Sequence, residues 1–392
     1  MDFRLSERQE IIKEMTREFA REVVEPRAQE YDVTGEFPYD IVEQMGKLGM
    51  MGIPYPQKYG GGDGDWLSMY ICLEELSRAD VLPAVLLNVS AIGVGQELFA
   101  FASEEQKQRW LTPILQGKEV GASALTEPDA GSDAGSIKTN AVLAGDEWVI
   151  NGTKQFITNA GLRNNSIVIV AAKTKMKSSG KRTISTIIVP TDTPGFTVGQ
   201  KYEKMGQRAV PSPELVFDDC RVPKDFLLGD MEKGLSQRLF GLQTGRIAIG
   251  AIATGFAQAC FDEALRFYGR KYVGQPSLFA SQRDPFKLAD IAMRIELCRT
   301  MYQKAGWLKD QGEPHILEAS FAKLYNAETA TNIANEVMRM CSPYGYLERY
   351  PISRYFRVAK LHEIVEGTTE MQKLIIAREL LGLKKHTRRK DQ

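Results

Sequence analysis

ALTEPDAGSDAGS, residues Ala124 to Ser136, stands where one sequence pattern gives way to another. Upstream, apolar residues recur at helical spacing. Ser6 with Gln9 makes a capping-box start, and Ile11, Ile12, Met15, Phe19 and Val23 carry a helix to about Tyr31. Further helices are expected from Asp40 to Leu48, Trp66 to Ser77, Leu82 to Ala102 and Ser103 to Leu115, the last opened by Ser103 with Gln106. Between them lies a turn-rich run, Pro54 to Asp65. Its cluster Tyr59-Gly60-Gly61-Gly62 lacks the lysine and spacing of a phosphate loop and reads as a flexible turn.

Downstream of Gly121 the composition shifts to short β-branched runs: Trp148 to Ile150, Ser166 to Val170, Ile184 to Val189 and Glu214 to Phe217. Asn151-Gly152 is a hairpin signal, and Pro194-Gly195 and Pro211 break the remaining runs. From Leu235 the helical period returns, with long helices expected from Ser236 to Arg270, Pro285 to Gln311 and His315 to Met340, and another from Thr369. Long helices on short connectors suit an antiparallel bundle. The predicted fold is mainly α with a central β domain. Residues 1–118 form an N-terminal helical domain, 119–230 a middle β-barrel-like domain and 231–392 a C-terminal four-helix bundle. The absence of a GxGxxG unit argues against a Rossmann dinucleotide fold.

Length agrees with several domains, because 392 residues exceed one ordinary core. Lys+Arg and Asp+Glu are equal at 50 each, which gives no support for nucleic acid as a partner. The basic cluster Lys384 to Lys390 reads as a solvated end. Five scattered cysteines and three scattered histidines, with no CxxC spacing, argue against a metal site. The opening MDFRLSERQEIIKEM is an amphipathic helix start rather than a signal peptide, and no apolar run is expected to span a membrane. A soluble, cytoplasmic protein is the expectation.

Three stretches can carry chemistry. In the opening one, Pro and Gly supply turns while Thr126 and Ser132 supply hydroxyls for a polar ring edge or a carbonyl. It also fits a plain domain linker. In KQFITN, Lys154 to Asn159, an aromatic ring beside a hydroxyl can stack on and hydrogen-bond to a planar cofactor; equally, the ring of Phe156 can fill a core. In IVEGTTEMQ, Ile364 to Gln372, Glu366 has apolar neighbours that suit a general base in a dry site, and Gly367 permits close approach of backbone to a ligand. Read alone, that stretch favours a solvated glutamate at a helix start, where the helix dipole welcomes negative charge.

Together these stretches resemble the acyl-CoA dehydrogenase family. ALTEPDAGSDAGS looks like its signature, KQFITN like its second flavin segment and IVEGTTEMQ like the segment bearing its catalytic glutamate, with the likeness running to about Gly382. The resemblance implies noncovalent FAD and oxidation of an acyl-CoA thioester to the 2,3-enoyl form. Glu366 would remove the α-proton as the β-hydrogen leaves as hydride to the flavin. The thioester carbonyl must be polarised as charge develops, and the implied donors are the Glu366 N–H and a flavin ribityl hydroxyl. Thr126 and Thr158 would face the flavin edge, Phe156 would pack on the ring, and Ser132 would touch the CoA part as well as the cofactor. Leu125, Ile157, Gln282, Arg339, Thr368 and Glu370 fall among the implied cofactor-binding positions. Leu242, Gln243, Arg246 and Gly367 fall among the substrate-binding ones. Arg270 matches an arginine that reaches the FAD diphosphate of a neighbouring subunit. A homotetramer and electron-transferring flavoprotein as electron acceptor are implied as well. Gly245 stands where some relatives carry the base, which leaves the role to Glu366.

The chain departs from the family pattern in three places. Ser342 and Pro343 replace a double glycine expected near the cofactor diphosphate, and Pro343 removes an N–H donor. The run after Arg270, Tyr272 to Pro276, lacks the usual phenylalanine before Gly274. Gln243 replaces an acidic residue or asparagine, and Val365 replaces a frequent tyrosine. The last two make room for a ring or branch on the acyl group, so branched, cyclic, aryl-substituted and dicarboxylic groups all stay open. Rival readings are a flavin oxidase or monooxygenase on the same scaffold, and a helical scaffold that has lost FAD.

Overall fold

The computed structural model describes residues 4–175, 182–272 and 282–383. The basic tail and the run from Val273 to Pro276 lie outside the described residues, as does the side chain of Arg270. The chain divides into two compact units, Met1–Gly245 and Arg246–Gln392.

The first unit opens with helices α1 (Glu7–Phe19), α2 (Ala28–Thr34), α3 (Tyr39–Lys47), α4 (Trp66–Ala79), α5 (Val81–Leu87), α6 (Gly95–Phe101), α7 (Glu104–Gln106) and α8 (Thr112–Leu115). The capping boxes lie where the sequence places them. Ser6 Oγ accepts from Gln9 N at 3.3 Å and Gln9 Oε1 from Ser6 N at 3.0 Å, and Ser103 and Gln106 repeat the exchange at 3.1 and 2.9 Å. The first helix reaches α2 through a wide turn, Ala20–Val24, and a tight one, Glu25–Arg27. Pro26 sits in the tight turn because it has no N–H to give the helix ladder. The glycine cluster corrects the expectation of flexibility. Gly61 lies so close to Tyr55 that a Cβ would meet the Tyr55 carbonyl oxygen at 2.0 Å, and the Gly62 N–H donates to Gly52 at 2.9 Å. Close packing, not freedom, is why glycine stands there. A second correction concerns Val81–Phe101, which is apolar and long enough to cross a membrane by length and composition, yet most of it is buried inside the fold.

Strands β1 (Val120–Ala124), β2 (Asn140–Ala144), β3 (Glu147–Lys154), β4 (Asn165–Lys175), β5 (Arg182–Pro190), β6 (Phe196–Val198) and β7 (Leu215–Pro223) form one seven-stranded curled sheet. Its order is β1-β4-β2-β3-β7-β6, with β5 also paired to β4. β1 and β4 run parallel, whereas β2–β3, β3–β7, β4–β5 and β6–β7 are antiparallel. Ile167 to Ala172 of β4 are buried without alternation, as a strand covered on both faces must be. The hairpin expected at Asn151-Gly152 is not there. Those residues lie inside β3, where the register against β7 shifts between Ile150 and Gly152, and Asn151 pairs with Asp219 instead. The Asn-Gly pair serves a bulge, and the turn of the hairpin is Gly145-Asp146, between β2 and β3.

Helix α9 (Gly234–Tyr272) begins in the first unit and runs into the second, where α10 (Arg283–Asp310), α11 (Ile316–Met340), α12 (Pro351–Ala359), α13 (Leu361–Ile364) and α14 (Thr369–Leu380) follow. Within the second unit Asn326, fully buried on α11, donates to Gly250 on α9 at 3.1 Å and to Cys298 on α10 at 2.9 Å. One side chain thus fixes the register of three helices. The short α12 and α13 were not expected from periodicity; α12 starts at Pro351, a residue preferred in a helix's first turn.

Candidate active site

In the first unit a buried ion pair locks two of the quoted stretches together. Lys154, fully buried at the end of β3, donates to the Glu127 carboxylate at 2.8 Å and to the Leu125 carbonyl at 3.0 Å. Glu127 also accepts from the N–H groups of Lys138 and of Thr139, the latter at 2.9 Å. Burial works to raise the Glu127 carboxyl, but these three donors outweigh it and the carboxyl lies below its ordinary value. Burial pulls the Lys154 ammonium down to about 8 against the pull of Glu127. The Gln155 N–H donates to the Thr126 carbonyl at 2.9 Å and closes the junction.

Around this lock the next segment is turned outward. Phe156 has φ 61° and Asn159 φ 70°. Between them Ile157 enters the core, and its N–H donates to Pro213 at 3.0 Å. The Phe156 ring is 57 % exposed, so it does not fill the core, which removes the alternative reading of that residue. A bulky residue at positive φ is unusual. Here it turns an aromatic face away from the sheet, with Tyr202 alongside at 5.1 Å between centroids. Thr158 pairs with Ser212 at 3.2 Å. Leu125 and Thr126 are half-buried, and Ser132 is exposed in the loop that follows. Leu242 and Gln243, on the first-unit part of α9, are half-buried too.

The second unit holds a different set. Glu366 lies before α14, whose N-cap is Thr368, with Thr368 Oγ1 accepting from Met371 N at 3.4 Å. Glu366 is therefore not in the helix's first turn. Its backbone is left-handed, φ 54°, and Gly367 follows at φ 93°. Gln372, fully buried on α14, donates from Nε2 to the carbonyls of Glu366 at 3.2 Å and Gly367 at 3.0 Å. One carboxylate oxygen of Glu366 is buried. Two buried cations share its surroundings. The Arg246 guanidinium is drawn below its ordinary value by burial and raised again by Glu366. Lys323 is pulled to about 8 by burial, with Glu366 first among the charges that oppose it. Arg246 Nε is buried with no partner among the described residues, a donor available to a ligand carbonyl or phosphate. His362 is buried against Phe256, and its Nδ1–H donates to Ala359 at 3.1 Å; burial pushes the ring down to about 4, so it is neutral.

The remaining expected positions are outlying. Glu370 is exposed one residue into α14, Arg339 is exposed in the last turn of α11, and Gln282 is exposed ahead of α10. Ser342 keeps φ 55°, the backbone that a glycine would supply at that position. Sequence reasoning missed Lys323, Gln372 and the Lys154–Glu127 pair. Gln372 stood inside the quoted IVEGTTEMQ, and Lys154 and Glu127 inside the other two stretches. The partners of Lys323 and Lys154 are distant in the chain, which no local pattern signals, while Gln372 bonds back to Glu366 and Gly367 within its own stretch through a loop conformation that periodicity does not show.

Family models for the acyl-CoA dehydrogenase N-terminal, middle and C-terminal domains match residues 6–118, 122–220 and 232–381. The chain belongs to the acyl-CoA dehydrogenase family. It is accordingly an oxidoreductase. It is 46 % identical over 383 residues to "Probable acyl-CoA dehydrogenase YngJ" of Bacillus subtilis (strain 168), covering 97 % of this chain and 100 % of that one. Butyryl-CoA dehydrogenase from Megasphaera elsdenii superposes with a TM-score of 0.93 at 36 % identity, over 97 % of this chain and 100 % of that one. A glutaryl-CoA dehydrogenase from Mycobacterium smegmatis in complex with FADH2 gives 0.90 at 28 %, over 96 % and 95 %. Within this family the left-handed glutamate and the outward-turned phenylalanine are the two features to account for.

Proposed function

We propose that the protein is an FAD-dependent acyl-CoA dehydrogenase in which Glu366 is the base that takes the α-proton of an acyl-CoA thioester. The observation that carries this reading is the backbone of Glu366, held at φ 54°. That conformation costs about 1 kcal/mol or more, and unlike the exposed Glu232, also at positive φ, Glu366 combines it with a buried carboxylate oxygen. Strain of this kind persists where neighbouring groups impose it, and it aims the side chain.

The residues present fit the cofactor. Phe156 turns an exposed ring outward at positive φ, which suits stacking on a flat ring system. The half-buried Thr126 and Thr158 supply polar groups for its edge and the half-buried Leu125 an apolar contact, whereas Ile157, expected among the cofactor contacts, lies in the core and anchors the turn that presents Phe156. Bound FAD supplies the acceptor for the β-hydrogen as hydride. The chain's own part is to hold the thioester, exclude water and remove one proton. The Glu366 carboxylate receives that proton, and the electron pair of the broken Cα–H bond forms the C=C bond as the β-hydride departs. The Glu366 N–H donates to the thioester carbonyl, and Arg246 offers its unpartnered Nε–H to the acyl-CoA. Leu242, Gln243 and Gly367 complete the substrate contacts, with Ser132 toward the CoA.

The neutral Gln243 and the small Val365 favour an acyl group with a branch or ring. Electron-transferring flavoprotein is the proposed acceptor, and a homotetramer the proposed assembly, with Arg270, Gln282, Arg339, Thr368 and Glu370 as further cofactor-binding positions. Glu366→Gln tests the core of the reading. The variant is expected to purify yellow, with FAD absorbance intact, and to lose bleaching by every member of a panel of straight, branched, cyclic, aryl and dicarboxylic thioesters. Bleaching at the wild-type rate would overturn the assignment. Peroxide formed under air at the turnover rate would place the protein among oxidases instead.

A further inference from the structure

We infer that Gln372 is a positioning residue for the base: its buried amide fixes the two peptide planes that follow the Glu366 Cα, and with them the backbone from which the carboxylate is aimed. This rests on Glu366 being the base.

The geometry is specific. Gln372 is fully buried, yet its Nε2 serves two main-chain carbonyls, those of Glu366 at 3.2 Å and Gly367 at 3.0 Å. These peptides lie on either side of Gly367, whose φ of 93° only glycine adopts readily. A Cβ at Gly367 would also meet Gln372 Nε2 at 2.8 Å, so the amide fills the space that the missing side chain leaves. Left to itself, a Glu-Gly step relaxes out of two successive left-handed conformations. The two hydrogen bonds hold it there. Gln372 Oε1 is buried with no partner among the described residues. Leaving a buried acceptor unpaired is costly, which argues that the amide is kept for what its N–H groups do. The same α14 carries the Thr368 cap, so the loop is pinned to one rigid helix from both ends of the Glu-Gly step. A base aimed from a strained backbone is sensitive to rotation of the peptides that hold it, and small misplacement lowers rates sharply.

Gln372→Met keeps the length of the side chain and removes both donors. Gln372→Glu keeps its shape and turns the donor into an acceptor facing two carbonyls, until it is protonated. Both are made as FAD-loaded full-length protein, beside Glu366→Gln. Anaerobic stopped-flow bleaching is followed with a thioester from the panel that reduces the wild type, in protiated and α-dideuterated forms.

For Gln372→Met the rate of flavin reduction is expected to fall at least tenfold, while the thioester dissociation constant stays within threefold. The α-deuterium isotope effect should rise, because proton removal becomes more fully limiting. For Gln372→Glu the rate relative to wild type at the same pH should recover as pH falls and the carboxyl gains an O–H to donate, while the cofactor-binding and substrate-binding constants stay flat. Should Gln372→Met not fold, Gln372→Glu alone decides. Wild-type rates and isotope effects in the foldable variants, with Glu366→Gln inactive, overturn this inference and leave the base assigned. Wild-type bleaching by Glu366→Gln overturns the base itself.

Discussion

Lys323 donates from Nζ to the main-chain carbonyl of Glu363 at 3.1 Å, so a fully buried ammonium is fixed beside the loop that carries Glu366. The Lys323 side chain also feels Arg246, Glu363 and Glu370, and His362 lies close by in neutral form. Burial sets its pKa at about 8, below the ordinary value of about 10.4. The sign of the consequence follows. Between those values the unfolded chain holds a proton that the folded chain has released, so stability rises with pH across the window. Part of the rise is Lys323's own. Lys323→Met should remove a contribution on the order of 1–2 kcal/mol between pH 8 and pH 9.5. Urea unfolding of wild type and variant at both values checks this. Parallel pH dependences would show that the ammonium is not held as described.

The Lys154–Glu127 pair predicts an asymmetry. Lys154→Met leaves Glu127 with two main-chain donors, those of Lys138 and Thr139. Glu127→Leu leaves both of those N–H groups and a fully buried ammonium without their acceptor. Breaking a buried pair costs about 3–5 kcal/mol when a charge is stranded, so Glu127→Leu should lie at that level and Lys154→Met below it. Chemical denaturation orders the two variants. FAD retention should follow the same order, because the pair joins the Thr126 stretch to the Phe156 stretch.

At Ser342 the double-glycine departure becomes a stability question. Its φ of 55° is a conformation that serine adopts at a cost. Ser342→Gly removes the strain but adds freedom to the unfolded chain. The strain term is the larger, and the net gain should be about 0.5 kcal/mol or more. Equilibrium unfolding measures it. A loss of stability on replacing Ser342 would mean that the side chain contributes a contact outweighing its backbone strain.

Long elements were legible because their signals are local and repeated. The helices from Glu7, Arg283 and Ile316 follow from periodicity, and the capping boxes at Ser6 and Ser103 announce their own partners three residues on. β1 went unread because it is short and its place in the sheet is set by distant β4, and β2 because its five residues alternate weakly although they pair with neighbouring β3. Asn151-Gly152 carried a true turn signal that tertiary pairing with Asp219 converted into a bulge. At the site, the stretches were recognisable, but the backbone geometry was not. Nothing in the letters of Lys154-Gln155-Phe156 says that the lysine is buried and the phenylalanine exposed; Glu127, far upstream, decides that inversion.

That inversion supplies the most direct test of the cofactor reading. A ring that is 57 % exposed contributes little to the fold, so Phe156→Ala should change unfolding stability of the cofactor-free protein by no more than about 0.5 kcal/mol. Its backbone strain falls at the same time, since alanine tolerates φ 61° better than a bulky residue does. If the ring stacks on the flavin, the same variant loses cofactor. Free-flavin fluorescence after dilution should show FAD dissociating about five- to tenfold more readily, since stacking of an aromatic ring contributes on the order of 1–1.5 kcal/mol and exposes the flavin face when removed. Phe156→Trp should restore retention. An alanine variant that keeps FAD as the wild type does would remove Phe156 from the cofactor site and leave its strained backbone without a functional account.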